Sequence, residues 1–478
     1  MNKLKLFIEN FLVYGIGSVI SKIIPLLMVP VVTRLMPDSD YYGISDLSNT
    51  VVQFGSSFAV MGMYDAMYRM FFEKDDVEYK KSICSTALVF TYCTSFVIFI
   101  VMILFRSVIA QYFFGDQKYG GVVYLSAMAT LVGATNTIIS APTRMQNRRK
   151  IYLITNTVSP ILSYAISIPL LLKGHYVIAL PLAAVISGIT MEASFGVMNR
   201  DWFSLRRVEF KLLKQLLIIA VPLLPNFLIY WIFNSCDKLM ITNMIGIGAA
   251  GVYSVGSKLG HCSNLIYLAF AGGWQFFAFS TMKEENQVKT NTRIYEYLGL
   301  ISFVCTAFIC ICSYPIFKIL FTEHYLSGYI IAPYLFLAPL LQMLYQVGNN
   351  QFLVIKKTWP GMFILSSGAV VNVILNFALI PVLGIEGAAI STLAGYIVTD
   401  VVDIAVLIKC RLMRPRVQFF WITMITVVYM IAWRLALLRN TVAGIVAWIV
   451  FVAICMWIYR EDLKKILSIV RKKKSTVV

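Results

Sequence analysis

Apolar runs of about 20 residues recur along the whole chain and are separated by short polar connections. The hydrocarbon core of a bilayer is about 30 Å thick, and about 20 mostly apolar residues of α-helix cross it. The pattern therefore predicts an all-α polytopic membrane protein with about fourteen transmembrane helices. Their expected bounds are 7–36, 41–70, 82–105, 121–143, 151–172, 176–199, 212–243, 249–280, 294–320, 328–355, 360–383, 386–409, 417–438 and 441–459.

Composition agrees with this interpretation and narrows it. Of the 478 residues, 59% are hydrophobic and only 13% are charged, against about 25% charged in soluble domains. The first run follows a basic N-terminus without a small-residue cleavage site, so we expect a spanning helix there rather than a removed signal. The nine cysteines are scattered, mostly within apolar runs, so neither a disulfide framework nor a metal site is expected.

The basic residues indicate the orientation of the spans. Short loops of inner-membrane proteins collect Lys and Arg on the cytoplasmic side. With the N-terminus placed inside, 31 of the 41 Lys and Arg residues fall on inner segments and 7 on outer ends. The expected topology is N-in and C-in, and the net charge of +18 needs no nucleic-acid partner to explain it. Three basic residues stay within spans: Lys22, Lys238 and Lys258.

A weak internal repeat divides the chain. The turn that holds Gly43 resembles the turn that holds Gly251, and Ile-Pro pairs recur at Pro169 and Pro381. The two matches lie 208 and 212 residues apart, which indicates two six-helix copies in the same orientation. Repeats of this kind place a substrate site between the copies. The expected divisions are 1–210 for the first bundle, 211–410 for the second, and 411–478 for two further helices with a basic cytoplasmic tail.

Polar side chains within the spans are the candidate site. A charge at the centre of a spanning helix costs about 2.5–3.5 kcal/mol on insertion scales, so such residues are functional candidates. Asp46, Asn49 and Gln53 share one helix face by their spacing. Most of the polar residues within spans lie in spans 1, 2, 7 and 8, and the prolines of spans 1 and 7 supply bending points. This pattern predicts a cationic cavity that attracts an anion. The candidate substrate-binding residues are Lys22, Arg34, Asp46, Asn49, Gln53, Asp237, Lys238, Lys258, His261 and Gln275.

Several of these residues have a structural alternative. Lys238 either faces the cavity, reaches the outer surface, or is neutralised by its neighbour Asp237. Asp65 and Arg69 are one turn apart near the inner end of span 2, where a gate and a structural ion pair are both consistent with the spacing. Lys258 is deeper in its span and is the strongest single candidate.

The sequence also resembles a known family. The phrases NSCDKLMI, GVYSVGSKLG and VVNVILNFALIPVLGIEGAAISTLAGY are similar to those of bacterial polysaccharide-biosynthesis flippases (Wzx-type), within the multidrug/oligosaccharidyl-lipid/polysaccharide (MOP) exporter superfamily. The resemblance covers nearly the whole chain. It implies translocation of an undecaprenyl-pyrophosphate-linked oligosaccharide, by rocking of two six-helix halves in the bacterial cytoplasmic membrane. Lys22, Lys238 and Lys258 would then contact the pyrophosphate.

Three other functions are weighed against this one. A cation-coupled multidrug exporter and a lipid II flippase belong to the same superfamily, although lipid II flippases carry several arginines where this chain has Lys22. A membrane-bound polysaccharide enzyme needs a sizeable catalytic loop, and the loops here are short. The expected protein is not an enzyme and needs no cofactor beyond coupling to H⁺ or Na⁺. Its expected partners are the lipid-linked oligosaccharide, the bilayer and the polysaccharide polymerase machinery.

Overall fold

The computed structural model describes residues 22–146, 148–280, 285–355 and 359–464. These residues form helices joined by short turns, and no strand occurs among them. In chain order the helices are α1 (22–35), α2 (Ser39–Val60), α3 (Met63–Phe71), α4 (Val77–Leu104), α5 (Arg106–Phe114), α6 (Gly120–Ile139), α7 (Ala141–Met145), α8 (Arg149–Leu172), α9 (Ala179–Met198), α10 (Phe210–Ala220), α11 (Leu224–Met244), α12 (Ile247–Gly260), α13 (Asn264–Ser280), α14 (Gln287–Leu320), α15 (Ala332–Val354), α16 (Trp359–Leu383), α17 (Ile385–Lys409), α18 (Val417–Ala432) and α19 (Thr441–Ile458).

The all-helical fold class is confirmed. Eight helices of the described chain are long and apolar enough to cross a membrane, and ten if two bent pairs count as single spans. The predicted count of fourteen and the predicted topology stay predictions. The first half of the predicted span 7–36 lies outside the described residues.

Three predicted spans are divided by local breaks. Met61 (φ 49°) and Gly62 (φ 72°) take left-handed conformations between α2 and α3. A 3₁₀ turn at Val221–Leu223 separates α10 from α11, and the span bends there by 44°. Pro222 lacks the amide hydrogen that a continuous helix needs, which accounts for the second break. A further 3₁₀ turn, His261–Ser263, separates α12 from α13.

The first spanning segment of the predicted second bundle packs against the first bundle. Leu212, Leu216 and Ala220 of α10 lie in one apolar cluster with Met67 of α3 and Ala87 of α4. The helix α11 packs mainly with α12, α16 and α17 of the second half, and it also contacts α2 and α5. By packing, the change from one half to the other falls at the Val221–Leu223 turn, about ten residues after the predicted division at 210.

Helices α2 and α12 cross at two glycines. A Cβ atom added to Gly43 would meet the carbonyl oxygen of Ile247, and one added to Gly251 would meet that of Ser39. Only glycine lets the two backbones approach this closely, the use that membrane helices make of small residues. The crossing brings the polar face of α2 against α11 and α12.

The last two helices are fixed to the second half by ion pairs in which the carboxylate is buried and the arginine is partly exposed. Arg416 donates from Nε to Glu296 Oε2 (2.7 Å) and from Nη1 to Asp462 Oδ2 (2.7 Å). Near the other end of α18, Arg434 donates to both carboxylate oxygens of Glu386, at 2.5 and 2.8 Å. Helix α18 is therefore held at both ends, and the segment that follows α19 is tied to Arg416 at the start of α18.

Candidate functional site

A cavity of about 870 Å³ lies between α1, α2, α6, α8, α9, α12 and α13. It differs from the prediction in its walls, because α8 and α9 contribute serines while α11 does not reach it. Six predicted site residues line it: Lys22, Asp46, Asn49, Gln53, Lys258 and His261. The predicted face of α2 therefore does point into a polar cavity.

The cavity continues toward the side that the charge pattern assigns to the cytoplasm. A second cavity of about 390 Å³ shares the wall residues Asn136, Ser159 and Met191 with the first. It extends to Arg144, whose Nη1 donates to the hydroxyl of Tyr64 at 3.2 Å. Arg144 belongs to a predicted inner loop, so the combined space leads to the predicted inner side.

The carboxylate of Asp46 is the centre of an ion cluster at the wall of the cavity. Lys238 Nζ and Ser254 Oγ donate to Asp46 Oδ2, the latter at 2.8 Å. Lys258 Nζ lies 3.3 Å from Asp46 Oδ1. The Asp46 and Lys238 side chains are 4% and 13% exposed, and that of Lys258 is 45% exposed. Lys258 thus keeps its ammonium accessible from the cavity while Lys238 is covered.

The neighbours Asp237 and Lys238 point in different directions. Successive residues of an α-helix are about 100° apart, since 3.6 residues make one turn. Lys238 turns to Asp46 of the first half, so it neither neutralises Asp237 nor reaches the outer surface. Both of these sequence-based alternatives for Lys238 are wrong.

Asp237 is buried among neutral donors of the second half. It accepts hydrogen bonds from the Tyr253 hydroxyl (2.6 Å), Asn376 Nδ2 (2.6 Å), Asn372 Nδ2 (3.3 Å) and the Thr392 hydroxyl. Its side chain forms no ion pair within the described part of the chain, and it does not line the cavity. The sequence alone did not single out Asn372, Asn376 or Thr392, although two asparagines one turn apart in an apolar helix are a signal that could have found them.

Arg34 has a structural role at the predicted outer side. Its Nε donates to the carbonyl of Leu320 at 3.1 Å and its Nη2 to that of Ile319 at 2.6 Å. These are carbonyls of the last turn of α14, which a helix leaves without intrahelical partners. Arg34 therefore caps a helix of the other half and lies away from the cavity wall.

Three remaining candidates do not join the site as described. Asp65 and Arg69 lie on α3, are exposed, and make no ion pair with each other among the described residues; the predicted ion pair is absent there. The side chain of Gln275 on α13 lies outside the described residues. Within the described ranges, no group of three His, Cys, Asp or Glu side chains is arranged to hold a metal.

Comparison with known proteins agrees with the fold and identifies the family. The sequence profile described as "Polysaccharide biosynthesis protein" matches residues 31–329, more than half of the chain. A comparison with curated proteins gives no match.

Solved structures of transporters share the fold. A lipid II flippase MurJ in an inward closed conformation is 15% identical, with a TM-score of 0.72 over 95% of this chain and 100% of that chain. An inward-facing multidrug resistance MATE family transporter of the MOP superfamily is 14% identical, with a TM-score of 0.58 over 82% and 98%. A Vibrio cholerae MATE transporter is 13% identical, with a TM-score of 0.60 over 86% and 99%. The chain therefore belongs to the polysaccharide biosynthesis protein family, and it shares the fold of these membrane transporters.

Proposed function

We propose that this protein flips an undecaprenyl-pyrophosphate-linked oligosaccharide from the inner to the outer leaflet of a bacterial cytoplasmic membrane. The observation that carries the proposal is the cavity with Lys22, Lys258 and His261 in its wall. Ammonium groups are effective partners of phosphate. Low-dielectric walls strengthen their attraction for an anion.

The rest of the wall suits the sugars. Asn49, Gln53, Ser163 and Asn264 present amide and hydroxyl groups to the cavity, and these are the hydrogen-bonding partners that sugar hydroxyls use. The volume of about 870 Å³ falls in the range of about 300–1,000 Å³ that holds drug-sized ligands.

The route follows from the shape of the cavity. A head group enters past Arg144 on the predicted inner side and reaches Lys258 near the crossing of α2 and α12. Rocking of the two halves about the bend at Val221–Leu223 then closes the cavity to the inner side and opens it to the outer side. The released oligosaccharide is the substrate that a polymerase on the outer face would consume.

The same proposal includes coupling to a cation at Asp237. A buried carboxylate needs a partner that compensates its charge, and the neighbours of Asp237 are neutral oxygen and nitrogen groups. Hard cations bind to oxygen atoms, and those nearest to Asp237 are its own carboxylate and the hydroxyls of Tyr253 and Thr392. Binding of Na⁺ or H⁺ would neutralise the Asp237 carboxylate, and its release would restore the negative charge during the transport cycle.

Substitution of the cavity lysines tests the flippase proposal. We expect Lys258→Ala and Lys22→Ala to reduce surface polysaccharide at normal protein levels. Lys173→Ala, which removes an exposed lysine after α8, is the matched control and should export normally. Normal export by both cavity variants would contradict the cationic-cavity mechanism. Export of organic cations without any change in surface glycan would favour the multidrug exporter instead.

The coupling part has a separate test in proteoliposomes. We expect an imposed Na⁺ or H⁺ gradient to speed translocation of undecaprenyl-pyrophosphate-linked oligosaccharide, and Asp237→Asn to remove that acceleration. Asp201→Asn changes an exposed aspartate and should leave it intact. Equal acceleration of the wild type and the Asp237 variant would rule out coupling at this residue.

A further inference from the structure

Asp46 differs from the other charged residues of the cavity because it is an anion in a site that suits anions. The charged and histidine side chains in the described cavity wall are Lys22, Lys258 and His261, together with Asp46 as the sole carboxylate. Its two oxygens take the ammonium groups of both Lys238 and Lys258. The protein's own carboxylate thus occupies the position that a phosphate of the substrate would take.

Within the described ranges, every side-chain partner of Asp46 comes from the other half of the protein. Asp46 lies on α2, whereas Lys238 lies on α11 and Ser254 and Lys258 lie on α12. The ion cluster therefore joins the two halves, and its contacts break if α2 separates from α11 and α12.

The cluster stands beside the closed end of the molecule. The Gly43–Gly251 crossing is about one turn away along α2 and α12. Farther out, Arg34 caps α14, and the hydroxyl of Tyr325 donates to the carbonyl of Asp38 at 3.3 Å. All of these contacts join the first half to the second at the predicted outer side, while the cavity leads toward the inner side.

We propose that Asp46 is an internal competing anion that latches the outer end shut, and that the pyrophosphate of the substrate opens it by displacing Asp46 from Lys258 and Lys238. The proposal rests on the function proposed above. Of the two lysines that contact Asp46, only Lys258 lines the cavity, and its side chain is 45% exposed, so a phosphate in the cavity reaches it before Lys238. Once the lysines bind phosphate, Asp46 is left buried without a counter-charge, an unfavourable state.

Separation of α2 from α12 relieves this state by hydrating Asp46. The empty carrier therefore stays closed at the outer end, and only an anionic substrate shifts the population toward the outward-open state. A ligand shifts such an equilibrium only by its differential affinity for the two states, and the exchange of counter-anions supplies that difference.

The experiment measures the width of the outer end in purified protein in lipid nanodiscs. Spin labels are placed through Lys173→Cys and Glu323→Cys, two exposed positions on the two halves, in a background with the nine native cysteines replaced. The probe is undecaprenyl pyrophosphate, and undecaprenol, which lacks the phosphates, is its control. We expect the wild type to be closed when empty and to open with the pyrophosphate only.

The decisive variant is Asp46→Asn, which removes the anion but keeps the size of the side chain. We expect it to populate the open distance without ligand and to bind undecaprenyl pyrophosphate at least about fivefold more tightly, the lower end of typical coupling factors. Asp46→Glu restores the carboxylate and should stay closed when empty. Its behaviour also shows whether loss of folding explains the Asn variant.

The outcomes distinguish failure of the proposed Asp46 latch from failure of the proposed substrate. If the wild type binds the pyrophosphate but Asp46→Asn stays closed and binds it no more tightly, the latch is wrong and the proposed function stands. If the wild type does not bind the pyrophosphate, the proposed function fails. In that case the empty Asp46→Asn protein still decides the latch, since a closed outer end would overturn it.

Discussion

Gly43 and Gly251 meet as equivalents in two copies of one motif. Each glycine's backbone nitrogen lies 3.1 Å from the position that a Cβ on the other would occupy. The contact is reciprocal, because each added Cβ would meet the carbonyl oxygen of the residue four positions before the opposite glycine. Asp46 and Ser254 have the same separation along the chain, 208 residues, and are hydrogen-bonded to each other. Reciprocal contacts of this kind are those of a twofold interface, which supports the predicted repeat.

The crossing should tolerate no added methyl group. We expect Gly43→Ala to force α2 away from α12 and to destabilise the protein by about 1–3 kcal/mol, the usual cost of overpacking. Thermal unfolding of the purified protein in detergent measures this effect. Gly133→Ala is the matched control, since nothing lies within 4 Å of its added Cβ. Equal stability of the two variants would show that the helices do not pack as described.

The bend between α10 and α11 predicts a second glycine effect. Gly62 has φ +72° and its added Cβ would lie 2.7 Å from the carbonyl oxygen of Ala220, whereas Gly174 has φ +84° and open space. In both Ala variants the left-handed backbone conformation destabilises the protein by about 1–2 kcal/mol. We expect Gly62→Ala to lower the unfolding midpoint further than Gly174→Ala does. A smaller effect at Gly62 would contradict the packing of α10 against the first half.

The buried pair of Arg416 and Glu296 should govern the stability of the last two helices. Glu296 is fully buried and accepts from the Arg416 backbone nitrogen at 2.6 Å as well as from its side chain. Arg416→Met leaves that carboxylate without its cation, and we expect a loss of about 3–5 kcal/mol of folding free energy.

The double variant Arg416→Met with Glu296→Gln should recover part of this loss in a denaturation experiment. Arg414→Met, which alters an exposed arginine two residues away, serves as the comparison and should unfold like the wild type. An Arg416 variant as stable as the Arg414 variant would mean that the pair contributes nothing to holding α18.

Substitution of the two lysines that contact Asp46 should change different properties of the protein. Lys238 is 13% exposed and Lys258 is 45% exposed, so the first mainly compensates Asp46 and the second also meets the cavity. We expect Lys238→Met to lower the unfolding midpoint most. Lys258→Met should mainly weaken binding of undecaprenyl pyrophosphate, by about 1.5–3 kcal/mol for a lost charged hydrogen bond. Thermal unfolding and lipid binding are measured on both variants, and the reverse order would contradict the assignment.

The helices could be predicted from the sequence because lipid imposes them. Backbone groups in a bilayer must be paired within the segment, so the apolar runs indicate helices almost wherever they occur. The breaks were harder to predict. The turn at Val221–Leu223 contains a proline that indicates a bend, whereas the 3₁₀ turn at His261–Ser263 has no comparable local signal.

The part of the site that depends on residue spacing within one helix was predictable. The spacing of Asp46, Asn49 and Gln53 placed all three on one side of α2, and all three line the cavity. The partner of Lys238 was not predictable, because Asp46 lies 192 positions away and the adjacent Asp237 offered a simpler pair. For the same reason Asn372, Asn376 and Thr392 became visible as a group only once α11, α16 and α17 were seen together.

The attachment of Asp46 to the second half also has a consequence for biogenesis. Ribosomes add about 5–20 residues per second, so the 192 residues between Asp46 and Lys238 take roughly 10–40 s to synthesise. During that interval the first six predicted spans carry an acidic side chain whose basic partners do not yet exist. Release of those spans into lipid one by one would expose that side chain to hydrocarbon. Their retention by the translocon until the seventh and eighth spans arrive would let the nascent protein close its ion cluster in a single step.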